Sequence, residues 1–520
     1  MQLAAAEWNG GTYLVPPFRT SDSMCTYYSL LNQYSRKKIM SSTDTPLGET
    51  NQNELKRSLS HGQMTMIALG LALGTGLFLG SGAAIGIAGP AVLISYAFGS
   101  LVAAIIAACA GEMAIRYPVP GGFGTIATRY LSPYAGYLSR WAYWITTVPL
   151  TGAEIIATSH YMGYWYSQVD LWVWALMFGT MIVMLNIISV RSFGSTETVL
   201  SAIKVGAVLC FIVVGAIFVI FGMPGQQAHG LEYLSSDGGF MPNGLSSLWL
   251  SLAVVMFSFG GVELISISAA EAKDPARSVS SSVKAMIWRL SSFYVLSMLI
   301  ILCLMPWRSA AEAGKDLTAS PFVMVFSQAG IPAAAGIINF VVLIAAFSGG
   351  NAALYAATRQ LHALAQDSMA PRVLAKTSKT GVPVGALAVS TLGAVIALLM
   401  ALLGLDNIFR LFMGLVTFAM LLVWAMILIT YLRVKKAHPR GVGFQVFGGR
   451  ITAWIGLVGI AATFSALFVV DETTLTSVSV GLAVVLIISL AYRVLASRRG
   501  GFEPADLEAL SGRKGTGRED

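Results

Sequence analysis

The sequence predicts an all-α integral membrane protein of twelve transmembrane helices. Three observations predict it: an apolar composition, a regular succession of apolar runs, and a one-sided distribution of basic residues. Hydrophobic residues make up 56% of the 520 residues and charged residues 11%, against roughly 25% charged in an ordinary soluble domain. A spanning helix needs about 20 apolar residues, so this length holds roughly twelve spans with their loops. The 53 glycines would weaken soluble helices but suit membrane helices that pack closely.

Apolar runs are read at 64–86, 89–113, 138–165, 171–190, 198–222, 245–268, 284–306, 333–358, 384–404, 408–432, 451–470 and 474–496. Only Ala88-Gly89-Pro90 divides the first two. With both termini cytoplasmic, three of the 33 Lys and Arg residues (Arg308, Lys315, Arg410) fall in outside loops and one, Lys204, inside a span; the rest lie on inside segments. The positive-inside rule therefore supports twelve spans with both ends inside, and one span more or fewer would scramble the asymmetry. The formal charge of +8 is read as a topology signal and not as a nucleic-acid footprint. The four cysteines (Cys25, Cys109, Cys210, Cys303) are widely separated, which implies neither a disulfide framework nor a metal site. No cleavable signal peptide is expected, because the first apolar run starts near Met64. Residues 1–62 read as a cytoplasmic tail, with Met40 a candidate biological start, and 498–520 as a second cytoplasmic tail.

The first span contains Leu73-Gly74-Thr75-Gly76-Leu77-Phe78. Glycine costs about 1 kcal/mol in a helix interior, and two glycines flanking Thr75 let the helix unwind. Backbone N–H groups freed near the membrane midplane cannot face lipid, so such a break lines a cavity or binds something. Freed N–H groups at the positive end of a half-helix suit a carboxylate. A second break is expected in the sixth span, at Phe257-Ser258-Phe259-Gly260-Gly261-Val262-Glu263, where exposed carbonyls would attract an ammonium group. Interrupted helices at matching positions in two halves mark an inverted-repeat transporter with a midplane site. Close helix packing is the other reading of membrane glycines.

Met66 to Gly82 resembles the first helix of the amino acid transporter family within the amino acid-polyamine-organocation superfamily. Gly111-Glu112-Met113 with Pro118 to Gly122, Tyr130 to Gly136, Phe257 to Pro275, Ser348 with Asn351, Thr358-Arg359, and Ala370-Pro371 ahead of Gly381-Val382-Pro383 are further matches. Leu71-Ala72 and Ser195-Thr196-Glu197-Thr198 depart from the family pattern. The resemblance implies a LeuT-type 5+5 inverted repeat, with residues 63–222 and 223–432 as the two repeats and 433–497 as two peripheral spans. It implies a secondary active transporter for amino acids in the cytoplasmic membrane, importing with protons by alternating access; an exchanger of amino acids or polyamines is the alternative. It further implies that Gly74, Thr75 and Gly76 meet the substrate carboxylate, and that Phe257, Ser258 and Gly260 meet its amine. Phe257 and Phe259 are candidates for contact with the substrate's side chain, or are packing.

Lys204 sits about 12 Å into the fifth span at 1.5 Å per residue, where an ammonium is costly and a group able to shed its proton is a candidate for coupling. By resemblance it takes the place of a sodium ion in sodium-driven relatives, near the first break and Ser348. The competing readings are snorkelling and a static ion pair, and no acidic residue lies within one helical turn of it. Glu154 and Glu263 are intramembrane carboxylates and so candidates for proton relay or site lining. Glu112 and Glu271 lie at helix ends and read as partners for loop Lys or Arg. Trp424 is a gate candidate, or packing. No role is assigned to the five histidines.

No Ser/His/Asp set or HExxH motif sits at membrane depth, which argues against an enzyme. A non-transporting amino acid sensor would call for a signalling domain or a long cytoplasmic tail, and a pore for rings or a filter. No cofactor or metal is expected. The expected partners are an amino acid, a proton and the lipid bilayer, with monomer and homodimer both open.

Overall fold

In a computed structural model the described residues are 5–8, 11–14, 60, 62–63, 65–66, 74–188, 190–313, 320–405 and 408–499. The chain divides into two units, Met1–Gln52 and Asn53–Asp520. In the first, β1 (Ala5–Trp8) pairs antiparallel with β2 (Gly11–Leu14), Ala5 opposite Leu14 and Trp8 opposite Gly11. The sequence reading placed no regular structure there. The proposed start at Met40 lies outside the described residues.

The second unit is helical: α1 (Thr75–Phe78), α2 (Gly80–Ala88), α3 (Val92–Arg116), α4 (Phe123–Tyr130), α5 (Pro133–Gly163), α6 (Leu171–Ile188), α7 (Val190–Phe221), α8 (Gly244–Val255), α9 (Leu264–Ser268), α10 (Pro275–Leu304), α11 (Trp307–Ala313), α12 (Pro321–Gln328), α13 (Pro332–Gln366), α14 (Val384–Ser390), α15 (Leu392–Leu402), α16 (Ile408–Ala437), α17 (Arg450–Ala466) and α18 (Glu472–Arg499). Several start on the expected chemistry. Ser132 accepts a hydrogen bond from the Ala135 N–H ahead of Pro133, and Asp274 accepts one from Arg277 ahead of Pro275. In each, a side-chain cap satisfies an orphan donor and proline takes the position that needs none.

Among the described residues, nine helical stretches are long and apolar enough to cross a bilayer. Three of the twelve expected spans fall outside those nine, each for a physical reason. The first, 64–86, lies partly outside the described residues, and α1 and α2 are short pieces. The third, α5, is 31 residues long but carries Arg140, Glu154 and a row of threonines, which lower its hydropathy. The eleventh, α17, has 17 residues.

The threonines of α5 are satisfied within the helix: Thr146, Thr147, Thr151 and Thr158 each donate to the carbonyl one turn back. A helix so furnished belongs inside the bundle, and α5 packs along α13 and α16, with Arg140 paired to Asp367 at 2.5 Å. The sixth span is also interior. Of its most apolar stretch 89% is buried, against 17% for α18 and 28% for α6. The outer helices instead present bare apolar side chains such as Met184, Leu486 and Ile487, the surface that lipid covers. The interrupted helices therefore lie where protein, not lipid, surrounds their loose backbone.

Candidate functional site

The sixth-span break is present, and at the first the helix resumes earlier than expected. Gly74 is extended (φ −98, ψ −159), whereas Thr75 and Gly76 already open α1. Residues 67–73, including the Leu71-Ala72 departure, lie outside the described residues. In the sixth span, α8 tightens into a 3₁₀ turn over Met256–Phe259, leaves the helix at Gly260 (φ −55, ψ 144), passes through Gly261 (φ 98) and resumes at Leu264. The two segments cross in direct backbone contact. A Cβ on Gly76 would lie 2.4 Å from the Ser258 Cα and 2.9 Å from its N. Glycine at 76 thus serves close approach and not unwinding.

The crossing borders a narrow, partly open cavity. Gly74, Gly76, Phe257, Ser258, Gly260, Glu154 and Glu263 line it, so seven of the residues singled out in the sequence come together. Leu150, Val416 and Met420 complete an apolar wall, with Thr146 and Thr147 beside it. Phe257 faces the cavity and packs edge-on against Phe409. Phe259 stacks on Tyr294 at 4.5 Å and is packing.

Each break is capped by a carboxylate. Glu154 Oε1 accepts from the Thr75 N–H (3.3 Å) and from Thr75 Oγ1 (3.0 Å). Its Oε2 is buried with no hydrogen-bond partner among the described residues. Room for this carboxyl group comes from α13: a Cβ on Gly349 would lie 2.9 Å from Glu154 Cδ, and one on Gly350 3.2 Å from its Cβ. Glu263 caps the sixth break locally. Its Oε1 accepts from the Gly261 N–H (3.3 Å) and its Oε2 from Trp424 Nε1 (2.9 Å). Trp424 is fully buried, held in that bond. Two of the three expected carbonyls already have donors: Tyr294 Oη donates to Ser258 O (2.5 Å) and Gly260 N–H to Phe257 O (3.2 Å). Each carbonyl keeps a second lone pair.

Lys204 and Ser348 meet: Lys204 Nζ donates to Ser348 Oγ at 2.9 Å, with both side chains fully buried. Glu197 closes the cluster. Its Oε1 lies 3.8 Å from Lys204 Nζ and accepts from Ser348 and Ser201, and its Oε2 accepts from Asn351 Nδ2. Asn186 Nδ2 donates in turn to Asn351 Oδ1 (2.8 Å). Within one helical turn Lys204 has no acid, as read from the sequence, yet an intrahelical ion pair forms across two turns, bridged by Ser348 on α13. Residues seven apart return to the same helix face, and that spacing was the signal for Glu197.

Glu112 takes Lys435 (2.6 Å), Tyr431 (2.9 Å) and the Val446 N–H (2.8 Å), and Glu271 takes Arg359 (2.8 Å) and Tyr355 (2.7 Å). Both acids therefore pair with basic residues, as their positions suggested. Near Glu112, His438 Nε2 hydrogen-bonds Tyr130 Oη at 2.8 Å, and Tyr130 bonds Tyr117 at 2.7 Å. His438 follows α16 directly and ties α4 to it, a contact the sequence reading left without a role.

A family model described as amino acid permease matches residues 63–499. The chain is 38% identical over 390 residues to the uncharacterized amino acid permease YtnA of Bacillus subtilis, covering 75% of this chain and 83% of that protein. It is 38% identical over 419 residues to the aromatic amino acid transport protein AroP of Escherichia coli K12, covering 80% and 90%. It is 35% identical over 451 residues to the gamma-aminobutyric acid permease of Bacillus subtilis, covering 85% and 95%.

Proposed function

Because this chain belongs to the amino acid permease family, we propose that it is a proton-coupled importer of amino acids with apolar side chains, working by alternating access. Family membership makes it a multi-pass membrane protein that transports amino acids, and not an enzyme. The finer reading has twelve spans in the cytoplasmic membrane with both termini inside. Residues 63–222 and 223–432 form the inverted repeats, and 433–497 are peripheral.

One observation carries the reading: both backbone breaks open onto the same cavity. The substrate carboxylate binds at the first break, where the opening turn of α1 has N–H groups without intrahelical acceptors. Thr75 adds a hydroxyl. The ammonium binds the carbonyls of Phe257, Ser258 and Gly260. Phe257, Leu150, Val416 and Met420 form a wall without charge, which suits an aromatic or aliphatic side chain. AroP, one of the relatives, is named for aromatic amino acids. Glu263 and Trp424 hold the sixth break in shape, so Trp424 acts through Glu263 rather than as a swinging gate. Lys204 couples uptake to protons. When it loses its proton to solvent, Ser348 and Glu197 lose the cation that organises them, and α7 loosens from α13.

Uptake of a panel of labelled amino acids into proteoliposomes, with and without an inward proton gradient, tests this. Aromatic amino acids are expected to accumulate only with the gradient, and Lys204→Met to abolish accumulation. If nothing accumulates and the gradient changes nothing, the reading fails. If Lys204→Met keeps full exchange and the gradient is irrelevant, the protein is an exchanger.

A further inference from the structure

We propose that Glu154 is a built-in stand-in for the substrate's carboxylate. It holds the Thr75 donors when no amino acid is bound, an arriving amino acid displaces it, and it then takes up one proton per substrate. This rests on the placement of the substrate carboxylate at the first break.

Three observations lead to it. Glu154 Oε1 already occupies the N–H and hydroxyl of Thr75, the donors that the site offers to a carboxylate. The acid comes from another helix, so it can withdraw without unfolding the break it caps. Its second oxygen, Oε2, is buried and has no partner among the described residues, on a group that lines the cavity, so the carboxylate is only half satisfied where it sits.

The chemistry then follows from competition. Two ionised carboxylates cannot share one donor set in a buried site. Once the substrate takes the Thr75 donors, an ionised Glu154 would be buried without hydrogen bonds, which is expensive. Glu154 therefore leaves as the acid: one O–H bond forms on its carboxylate as one O–H bond of a hydronium ion breaks to leave water, and no other covalent bond changes. The titratable and charged groups that face it are Lys204 on α7, Glu263 across the cavity, Tyr161 on α5 and Tyr294 on α10. Lys204 is already engaged with Ser348 and Glu197, and Glu263 with Gly261 and Trp424. Among the described residues, Glu154 is the one of these acids with an oxygen that lacks a partner.

The test is equilibrium binding of L-phenylalanine to the purified full chain between about pH 6 and pH 8.5. It is combined with calorimetry in buffers of different ionisation enthalpy, which counts protons. Wild type is expected to take up about one proton per substrate and to bind about tenfold more weakly per pH unit at the alkaline end, the slope of a single linked proton. Glu154→Gln should take up none, lose the slope and bind more tightly than wild type at the alkaline end. Damage to the fold would not produce that gain. Lys204→Met should keep the slope. Absence of proton uptake in wild type overturns the proposal without any variant, and so does an unchanged slope in Glu154→Gln. Thr75→Val separates the two layers. If it binds L-phenylalanine as well as wild type, the site reading itself has failed. If it binds weakly while Glu154→Gln keeps the slope, the site stands and the stand-in does not.

Discussion

The two helix breaks solve one problem in different ways. Each leaves backbone donors bare inside an apolar bundle, and each recruits a glutamate to cover them. Glu263 lies two residues beyond the Gly261 N–H it caps, and both of its oxygens are bonded, the second to Trp424. Glu154 reaches the first break from α5, and one of its oxygens has no partner among the described residues. A local, saturated cap is a fixture, whereas a distant, half-satisfied cap can be exchanged. On the proposed reading, the first break is where the carboxylate exchanges, and the sixth break is the fixed half of the site.

The largest expected effect breaks the contact between the two. Gly76→Ala would place a methyl group 2.4 Å from the Ser258 Cα. Backbone cannot swing aside as a side chain can, and overpacking of this kind costs about 1–3 kcal/mol or more. Proteoliposome uptake is expected to fall on the order of a hundredfold if the upper figure is expressed in transport. Gly80→Ala is the control: its Cβ would meet Ser258 Oγ at 3.9 Å, an ordinary contact, and uptake should persist.

Next in size, Thr75→Val and Trp424→Phe should separate the exchanging half of the site from the fixed half. Thr75→Val removes a hydroxyl bonded to a carboxylate, an interaction of about 1.5–3 kcal/mol. It should weaken substrate binding tenfold or more and lower the thermal midpoint less, because Glu154 Oε1 keeps the Thr75 N–H. Trp424→Phe strands a buried carboxylate oxygen, at about 1–3 kcal/mol, and should lower the thermal midpoint more than it weakens binding. If the two variants exchange these signatures, the assignment of roles is reversed.

The smallest effect lies outside both breaks. Burial, and then the nearby Arg116 charge, push His438 below its ordinary value. The folded protein therefore binds fewer protons there than the unfolded chain. This contribution to stability is complete above the ordinary histidine value of about 6.5 and is lost as pH falls through the lowered one. Thermal stability of wild type should fall over that acid range, and His438→Gln should flatten part of the decline. Transport at neutral pH should hardly change.

How much of this was legible depended on how local each signal was. The glycines at 74, 260 and 261 marked the breaks, because helix interruption is written in consecutive residues. Glu154, Glu263 and Lys204 stood out as charges in apolar runs. Their partners did not stand out, since Thr75 and Glu154 are 79 residues apart and nothing in either segment names the other. Glu197 was missed although it lies on the same helix as Lys204, because the pairing spans two turns and needs Ser348 from α13 to bridge it. Gly349 and Gly350 read as ordinary packing glycines until the carboxyl group they accommodate is seen. Tyr294 carried no marker at all, since a tyrosine in a membrane helix is commonplace until its hydroxyl meets a carbonyl such as that of Ser258. Nine of the expected spans coincide with helical stretches apolar enough to cross a bilayer among the described residues, and α5 does not, because its polar side chains suit the interior.

The most direct test of the exchange at the first break is an infrared difference spectrum of the purified protein with and without L-phenylalanine. The account predicts that substrate creates a protonated-carboxyl band and that Glu154→Gln removes it. Substrate binding with no such band in wild type, or the same band in Glu154→Gln, would contradict it.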